Sequence, residues 1–267
     1  MTAATLAGME DEKIRLGGMA LGNGVLVHGP TAWACAVRLS DGRVKVAAER
    51  KRFVAARVSR PFLRGPAKLA EAFAILPAVK RALPEAEFPF EQPSILAAMA
   101  ASGAAVRVLR GSRLTPAAQE LAAGLMSLAP ALVLFRGSDV AGYHGAEHIS
   151  IGSYEHGERR AKEHERCGSH LLGPIVATQA AAQALAVRAP ERYRGLARAG
   201  GAFGALAAST EIFAWMVRHP ETKLARALAW PGHELQHRVA TAEPTEDQVE
   251  VAEAALRACL ELEADAA

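Results

Sequence analysis

The chain is poor in aromatic residues and in cysteine. Aromatic residues make up only 5% of its 267 positions, although 51% of the residues are hydrophobic. Alanine supplies much of this apolar content, and because alanine has the highest helix propensity we expect a mainly helical protein. The three cysteines, Cys35, Cys167 and Cys259, are too few and too widely spaced for a disulfide framework, which favours a reducing compartment.

The sequence also lacks a strong net charge and an apolar leader. Its formal net charge is +3, which is too small an excess to indicate a nucleic-acid partner, and we expect none. The first residues are acidic and have no apolar core, so we predict no secretory signal and a cytoplasmic or cytoplasmic-membrane-associated location. Basic residues do cluster locally, and we interpret them as a solvated face, with contact to anionic lipid headgroups or phosphate as the alternative. They are Arg50, Lys51, Arg52, Arg57, Arg60 and Arg64.

Long and strongly hydrophobic runs are missing as well. Residues 121–135, 171–187 and 199–217 approach the length of a membrane span, but alanine, glycine, threonine and glutamine dilute them. The third run contains Glu211, which is costly in lipid unless it is paired or bound to a metal. The favoured interpretation is three buried helices of a soluble domain, and membrane insertion is the alternative.

The hydrophobic patterns predict an α+β protein that is mainly α. Residues 1–16 are expected to form a flexible N-terminal tail and residues 17–60 a small β-rich element, a hairpin or meander. Apolar alternation on both sides of the Asp41-Gly42 turn is the hairpin signal. Residues 61–267 are expected to form a helical domain that carries a metal site. Its predicted helices lie at 62–83, 94–109, 115–134, 144–160, 168–187, 198–218, 221–239 and 245–264.

The segment from His144 to Cys167 carries the strongest chemical signal. It contains the spacing H-x-x-E-H, with His144 and His148 four residues apart and Glu147 between them. On a helix, both imidazoles project from one face. Two nitrogens on one face beside a carboxylate suit a transition metal, as in the inverted zinc peptidases. The alternative is a polar helix face with no ligand.

A third ligand has several candidates. Glu155 lies close to three helical turns after His144, so it shares that face if the helix continues through Gly152. His164 and Cys167 follow shortly afterwards, and Glu211 is the most distant candidate. An imidazole near Cys167 also leaves open a thiolate nucleophile.

Two further motifs are alternative candidates for a functional site. Residues 233–237 read His-Glu-Leu-Gln-His, the spacing of many metallopeptidases, and Pro231 and Gly232 before them suggest that they open a helix. Gly17, Gly18, Gly22 and Gly24 form a glycine-rich stretch. It has neither a preceding strand nor a following Lys-Ser/Thr, so close backbone packing or a tight turn is favoured over nucleotide binding.

Several motifs taken together resemble the bacterial YqhQ family, an uncharacterised group described as predicted metal-dependent enzymes that usually carry membrane helices. The resemblance runs through nearly the whole chain. His233 and His237 do not lie on the family pattern, and His28 stands where the family often has a basic residue. The matching pieces are Gly17-Gly18-x-Ala20 through Gly29-Pro30, Ala34-x-Ala36-Val37-Arg38, Asp41-Gly42, Pro61 to Gly65, Tyr143 to His148, Tyr154-Glu155-x-Gly157-Glu158, His164-x-Arg166-Cys167-Gly168, Glu211 and Pro231-Gly232 before Leu235-Gln236.

The resemblance implies a metal-dependent enzyme, and the motif spacing suggests hydrolysis of an unknown substrate. His144 and His148 are the expected ligands of a divalent metal, with a third from His164, Cys167, Glu155 or Glu211. Zinc fits this donor set best. We predict that Glu147 is the general base and that Arg166, or alternatively Arg64, holds an anionic substrate group. The rival is a membrane-associated structural or partner-binding protein in which the same cluster is a structural metal site or a buried polar network.

Overall fold

The stretch from Gly17 to Arg50 folds into an antiparallel meander. The computed structural model describes residues 13–52 and 55–265. The strands follow one another across the sheet in chain order. They are β1 (Gly17–Ala20), β2 (Gly24–His28), β3 (Ala32–Arg38) and β4 (Val44–Arg50). The predicted β-rich element is therefore present, and the glycine-rich stretch supplies its first strand.

Both faces of the two central strands are buried. Side chains alternate along a strand, so Val25 and Val27 face one side of the sheet while Leu26 faces the other. In the register of the sheet, Leu26 lies opposite Cys35. This double burial explains why β2 and β3 are nearly continuous apolar runs instead of alternating apolar and polar residues.

Helices make up most of the rest of the described chain, as predicted. They are α1 (Arg64–Ala82), α2 (Pro93–Arg110), α3 (Pro116–Met126), α4 (Ala129–Phe135), α5 (Asp139–His156), α6 (Leu172–Ala186), α7 (Arg194–Arg218), α8 (Lys223–Leu235) and α9 (Glu246–Ala264). Short 3-10 turns lie at Ala55–Arg57, Pro89–Glu91, Gly168–Leu171 and Glu191–Tyr193, and a π-helical turn at Gln236–Ala240 follows α8 directly. The predicted α+β class, mainly α, is confirmed.

The sheet lies between helices from both ends of the sequence. Helix α1 packs on the face that carries Leu26 and Trp33. Helices α5 and α9 pack on the face that carries Val25 and Val27. Of the predicted tail, residues 1–12 lie outside the described residues, whereas Leu16 is buried in the core.

Two helix boundaries differ from the sequence prediction. The run predicted as one helix at 115–134 is two helices, α3 and α4, that meet near Ser127 and Leu128. The His233–His237 motif was expected to open a helix, but His233 lies in the last turn of α8 and His237 in the π-turn. Pro231 is accommodated inside α8, so the assumption that Pro-Gly starts a new helix was wrong.

Among the described residues, one helical stretch by itself meets the length and hydropathy criteria for a membrane span. Glu191–Arg218 is long and apolar enough to cross a membrane by length and composition, with a mean hydropathy of 1.2 and only 22% of that window buried. A second stretch passes the same test only if Ala122–Phe135 and Asp139–His156 count together, and these two are bent by 91°.

Candidate metal centre

Helix α5 carries the H-x-x-E-H motif in a mostly buried setting. Its residues from Val140 to Gly152 are buried with the exception of His144. The helix continues through Gly152 and ends at Gly157, whose φ of 76° is the left-handed conformation that glycine adopts without strain. Residues beyond Gly157 then turn back towards the helix. The predicted common face of α5 is therefore formed.

Three side chains offer ligand atoms to one point. The ligand atoms of His144, His148 and Cys167 all lie within 4.8 Å of one another. The Cys167 Sγ is 3.6 Å from the His144 Nε2. A tetrahedral zinc with Zn–S of ~2.3 Å and Zn–N of ~2.05 Å separates two such atoms by about 3.5 Å. The His/His/Cys group therefore has the composition and spacing to hold a metal ion.

Both histidine rings are oriented by backbone carbonyls. The Nδ1–H of His144 donates to the carbonyl of Ala240 at 2.8 Å, and that of His148 donates to the carbonyl of Lys162 at 2.6 Å. A neutral imidazole that donates from Nδ1 has its lone pair on Nε2. Burial lowers the pKa of His148 far below its ordinary value, so this ring stays neutral. Metal-binding histidines usually donate their other ring N–H to a carbonyl in this way, which fixes the orientation of the ring.

The loop that carries Cys167 is anchored by Gln236. This side chain is fully buried in the π-turn. Its Oε1 accepts from the backbone N–H of His164 at 2.9 Å, and its Nε2 donates to the Ser169 hydroxyl at 2.6 Å. The π-turn also provides the carbonyl of Ala240 to His144. The π-turn thus contacts both segments that carry the His/His/Cys group, α5 through His144 and the loop that carries Cys167.

Glu147 lies beside the group without a hydrogen-bond partner among the described residues. It is only 7% exposed, and β1 crosses it so closely that a Cβ on Gly18 would come within 2.3 Å of the Glu147 Oε1. Burial raises the pKa of Glu147 to about 7, an effect that His144 opposes and Cys167 reinforces. A carboxyl group that changes charge near neutral pH suits proton transfer.

These residues line a cavity of about 180 Å³. Helix α5 and the 164–168 loop form one side, and strands β1 and β2 form the other. The volume is below the range typical of drug-sized ligands, so only a small group, or one end of a larger molecule, fits. The lining residues are Leu16, Gly17, Gly18, His28, His144, Glu147, His148, Ile151, His164, Arg166, Cys167 and Gly168.

His164, Glu155 and Arg166 form an adjoining polar cluster. The His164 Nδ1 accepts from the backbone N–H of Arg166 at 3.3 Å, and its Nε2 lies 3.2 Å from a Glu155 carboxylate oxygen. Arg166 forms an ion pair with the other oxygen of Glu155. Both ring nitrogens of His164 are thereby in contact with a neighbour, and the predicted ligand roles of His164 and Glu155 stay predictions.

The remaining sequence candidates lie in other contacts. Glu211 pairs with Arg64 and accepts from the backbone N–H of Phe62 at 3.0 Å. The His237 Nδ1 is 3.0 Å from a Glu163 oxygen, and its side chain is 62% exposed. The His233 and His237 rings stack on each other with centroids 6.2 Å apart. Among the described residues, none of these three belongs to the His/His/Cys group.

Cys167 is favoured as a ligand over a free nucleophile. Burial raises the pKa of its thiol, and contacts with Ser169 oppose that change only in part. The thiol is therefore neutral near pH 7 in the absence of a cation, which does not favour an activated thiolate. Its nearest imidazole contact is with His144, not with His164 as the sequence spacing suggested.

Two site residues escaped the sequence analysis. Gln236 was noted only as part of the family pattern, and its burial and anchoring role depend on tertiary contacts that no spacing reveals. His28 lines the cavity from β2, and its only sequence signal was its place where the family often has a basic residue.

Comparison with known proteins finds a family model that matches the part of the chain carrying the His/His/Cys group. Residues 138–262 match the model of a family described as "Protein of unknown function (DUF1385)". The suspected resemblance to the uncharacterised YqhQ-like family is confirmed over this segment. No curated protein and no solved structure matches the chain.

Proposed function

We propose that the chain binds one divalent metal ion, with zinc the best fit, through His144, His148 and Cys167, and that it uses this ion in a hydrolytic reaction. The observation that carries the proposal is the orientation of the two rings. Each Nδ1–H is engaged by a carbonyl, so each ring keeps its lone pair on Nε2, and the His144 Nε2 lies 3.6 Å from the Cys167 sulfur. Two nitrogens and one sulfur form a donor set that zinc accepts readily.

A catalytic site is favoured over a closed structural one. Structural zinc sites have four protein ligands, whereas catalytic sites keep one position for water or substrate. The His/His/Cys group has three members among the described residues. The nearby His164 and Glu155 already have partners, so an ion held by the three residues would keep a position for water or substrate.

Glu147 is proposed as the general base. A bound divalent cation supplies Lewis acidity and lowers the pKa of water at the open position. Glu147, whose carboxylate has no competing partner among the described residues, would accept a proton from the attacking water. It would return that proton to the leaving group when the bond to the substrate carbon or phosphorus breaks. Arg166 lines the same cavity. Because it pairs with Glu155, we propose that it mainly holds the loop in place and only secondarily contacts an anionic group of the substrate.

Metal content and esterase activity test the two parts of this proposal separately. We expect the purified protein to contain about one zinc per chain, and His148→Ala to reduce that content at least tenfold. Glu147→Gln is expected to keep the metal and to lose hydrolysis of a panel of p-nitrophenyl carboxylate and phosphate esters. A metal-free wild type would overturn the proposal, and metal with full activity in Glu147→Gln would overturn the role of Glu147.

Three control variants make the result specific. His233→Ala combined with His237→Ala should leave the metal content unchanged, because neither ring belongs to the group. His164→Ala should lower affinity less than His148→Ala does, because it removes an adjoining residue and not a ligand. If alanine variants at the ligands unfold in circular dichroism instead of only losing metal, a structural site is favoured.

A second proposal, compatible with the first, is association with a membrane surface. It is supported by α7, which leaves Leu196 75% exposed and Phe203 56% exposed. Only 22% of the most apolar window of this helix is buried. Leu196 and Phe203 are seven residues apart and therefore lie on one face of the helix, and exposed apolar residues that form one patch mark an interaction surface.

Membrane fractionation distinguishes the possible outcomes. Retention in the membrane fraction after a high-salt wash, followed by release with alkaline carbonate, is the expected result for peripheral association. Replacing Leu196 and Phe203 together by glutamine should shift the protein to the soluble fraction. Wild-type protein that is found entirely in the soluble fraction would contradict the proposal.

A further inference from the structure

Strand β1 forms one edge of the sheet and carries no charged side chain. The strands lie in the order β1-β2-β3-β4, so β1 pairs on one side only, with β2. The opposite edge, β4, contains Lys45, Glu49 and Arg50, and charged side chains are a common protection of an exposed edge against pairing with another chain. The sequence of β1, Gly-Gly-Met-Ala, has no such protection. Of the two edges, β1 is therefore the one suited to pair with an additional strand.

The hydrogen-bond pattern shows which main-chain groups of β1 have no partner. The N–H of Leu21 donates to the carbonyl of Gly24 at 2.9 Å, which starts the ladder between β1 and β2. In an antiparallel ladder every second residue bonds to the partner strand, so Met19 and Gly17 bond to β2. The N–H and C=O of Gly18 point away from β2. In the described part of the chain, no loop, helix or side chain supplies a hydrogen bond to them.

Gly18 is also the accessible residue of this edge. It is exposed, whereas Ala20, whose main-chain groups point the same way, is only 7% exposed. Gly17 and Gly18 both line the cavity, and because glycine has no side chain, they line it with main-chain atoms. Glu147 lies against the face of β1 at this point. The unpaired N–H and C=O of Gly18 therefore lie at the border of the cavity, next to the carboxylate proposed as the general base.

The close approach of β1 to Glu147 requires glycine at position 18. A Cβ there would come within 2.3 Å of the Glu147 Oε1, so any other residue would displace the carboxylate. Glycine inside a strand often marks a place where a ligand or another backbone approaches closely. Here it brings the main chain of β1 close to Glu147 and leaves the outer edge of the strand without a side chain.

We propose that the substrate is an extended peptide segment, which Gly18 holds by pairing main chain with main chain. The inference rests on the proposed function for the reaction and adds a substrate class to it. The N–H of Gly18 would donate to a peptide carbonyl, and its C=O would accept from the N–H of the same peptide residue. Addition of a strand to an exposed sheet edge is a recurrent mode of peptide recognition. Because the cavity is small, most of the peptide would lie outside it.

Hydrolysis of a peptide bond fits the groups beside Gly18. Water would add to the carbonyl carbon of the scissile bond while Glu147 takes one of the water protons. The C–N bond would then break and the amine would leave with that proton, which gives one carboxylate and one amine. A secondary amide offers both an acceptor and an N–H donor to Gly18, whereas an ester offers only acceptors. Pairing with Gly18 thus favours peptides over esters.

Digestion of β-casein tests the substrate class. Zinc-loaded wild type is expected to generate new amino termini, which mass spectrometry detects, and Glu147→Gln is expected to generate them about 100-fold more slowly. Glu158→Gln changes an exposed carboxylate and should cleave as wild type does. Hydrolysis of p-nitrophenyl esters without cleavage of casein by the zinc-loaded wild type would overturn the inference and leave the proposed function intact.

Amide hydrogen exchange followed by NMR tests the pairing itself. In the free protein we expect the amide of Gly18 to exchange at least about tenfold faster than that of Met19, which bonds to β2. An excess of tryptic β-casein peptides should slow exchange at Gly18 in zinc-loaded Glu147→Gln, which would bind peptides with little cleavage. Val46, whose amide points away from β3 on the β4 edge, should not respond. No change at Gly18 would overturn the inference.

Modified peptides identify the paired residue without a substitution at Gly18, which would displace Glu147. A peptide that spans the casein cleavage site is N-methylated at one residue at a time. Methylation of the residue opposite Gly18 should weaken binding by at least about tenfold, because it removes a hydrogen bond and places a methyl group in the ladder. Methylation of either neighbour, whose N–H points away from β1, should change affinity by less than about threefold. Equal effects at all three positions would contradict main-chain pairing.

The inference and the proposed function fail in different ways. A wild type that binds no zinc would overturn the proposed function, and the response of the Gly18 amide to casein peptides in metal-free protein would then decide on peptide pairing. A zinc-loaded protein that cleaves casein while the Gly18 amide stays unchanged would keep the hydrolytic function and overturn the role of β1.

Discussion

At the residue scale, the candidate metal centre depends on which nitrogen of each histidine is engaged. His144 and His148 each donate their Nδ1–H to a backbone carbonyl. His164 has contacts at both ring nitrogens, one with the backbone N–H of Arg166 and one with Glu155. The three histidines therefore differ in which ring nitrogen can bind a metal. Their hydrogen bonds determine this difference, and their spacing in the sequence does not.

Cys167 is expected to release a proton when zinc binds. Because burial raises the pKa of its thiol, the group is protonated at pH 8, and zinc binds the thiolate form. Glu147, with a pKa of about 7, is already largely ionised at pH 8. We predict release of about one proton per zinc and an affinity that rises with pH. Calorimetric titrations in buffers of different ionisation enthalpy measure this number.

The control for that prediction is another buried thiol. Cys167→Ala should bring proton release close to zero, whereas Cys259→Ala, which alters a cysteine of the core, should leave it unchanged. Zinc binding without proton release in the wild type would show that Cys167 is not a ligand.

Glu147→Gln is predicted to stabilise the metal-free protein at high pH. The pKa of Glu147 is raised from 4.5 to about 7, so the native state binds its proton more tightly than the unfolded state does. The contribution of Glu147 to stability is full below pH 4.5 and is lost as the pH rises to 7. Above pH 7 the buried charge costs about 3 kcal/mol.

Urea unfolding in the presence of a chelator measures the effect of this substitution. The free energy of unfolding of Glu147→Gln should exceed that of wild type by about 3 kcal/mol at pH 8 and by close to zero at pH 4.5. Glu158→Gln changes an exposed carboxylate and should have little effect at either pH. A Glu147→Gln protein that is less stable than wild type at pH 8 would mean that the carboxylate has a stabilising partner.

The sequence indicated His144 and His148, because four-residue spacing on a helix brings them to one face. It left the third member open among His164, Cys167, Glu155 and Glu211, and it gave no information on the environment of the group. The carbonyls of Ala240 and Lys162 could not be predicted, because backbone atoms carry no sequence signal. Lys51 was wrongly expected on a solvated face. Its side chain is only 1% exposed and pairs with the buried Glu71, and a basic cluster in the sequence does not reveal such a partner.

At the element scale, the site depends on a π-turn packed against a loop. Gln236 makes hydrogen bonds to the backbone of His164 and to the side chains of Ser169 and His170. π-helical turns are rare and often occur at functional sites. The turn gives this part of the chain a role at the site although His233 and His237 lie outside the group.

Gln236→Ala is predicted to loosen the metal centre without removing a ligand. Loss of its hydrogen bonds should lower the free energy of unfolding by about 2–3 kcal/mol and weaken zinc binding by about 10- to 100-fold. Gln183→Ala removes another buried glutamine, in α6, and should leave zinc affinity near that of wild type. Unchanged zinc affinity in Gln236→Ala would contradict the anchoring role of the π-turn.

The sequence predicted regular elements better than irregular ones. Apolar runs and the Asp41-Gly42 turn located the strands, and helical periodicity located most helices to within a few residues. The break near Ser127 and the π-turn were missed because Ser127 and Gln236 fit an ordinary helical pattern. The helix break and the π-turn arise from tertiary packing, and the periodicity of apolar residues in the sequence does not predict it.

At the scale of the whole molecule, distant parts of the sequence build one site. Strands β1 and β2 close the cavity over α5, and α9 packs against the same face of the sheet as α5 does. The predicted β-rich element and helical domain share a core in the described residues. The site would therefore respond to changes in either half of the chain.

X-ray absorption spectroscopy of the zinc-loaded protein tests the central claim most directly. The account predicts one sulfur at ~2.3 Å and three nitrogen or oxygen neighbours at about 2.0–2.2 Å around the zinc, with imidazole scattering from two histidines. In Cys167→Ser the sulfur contribution should disappear. Two or more sulfur ligands, no sulfur in the wild type, or no bound zinc would contradict a centre built from His144, His148 and Cys167.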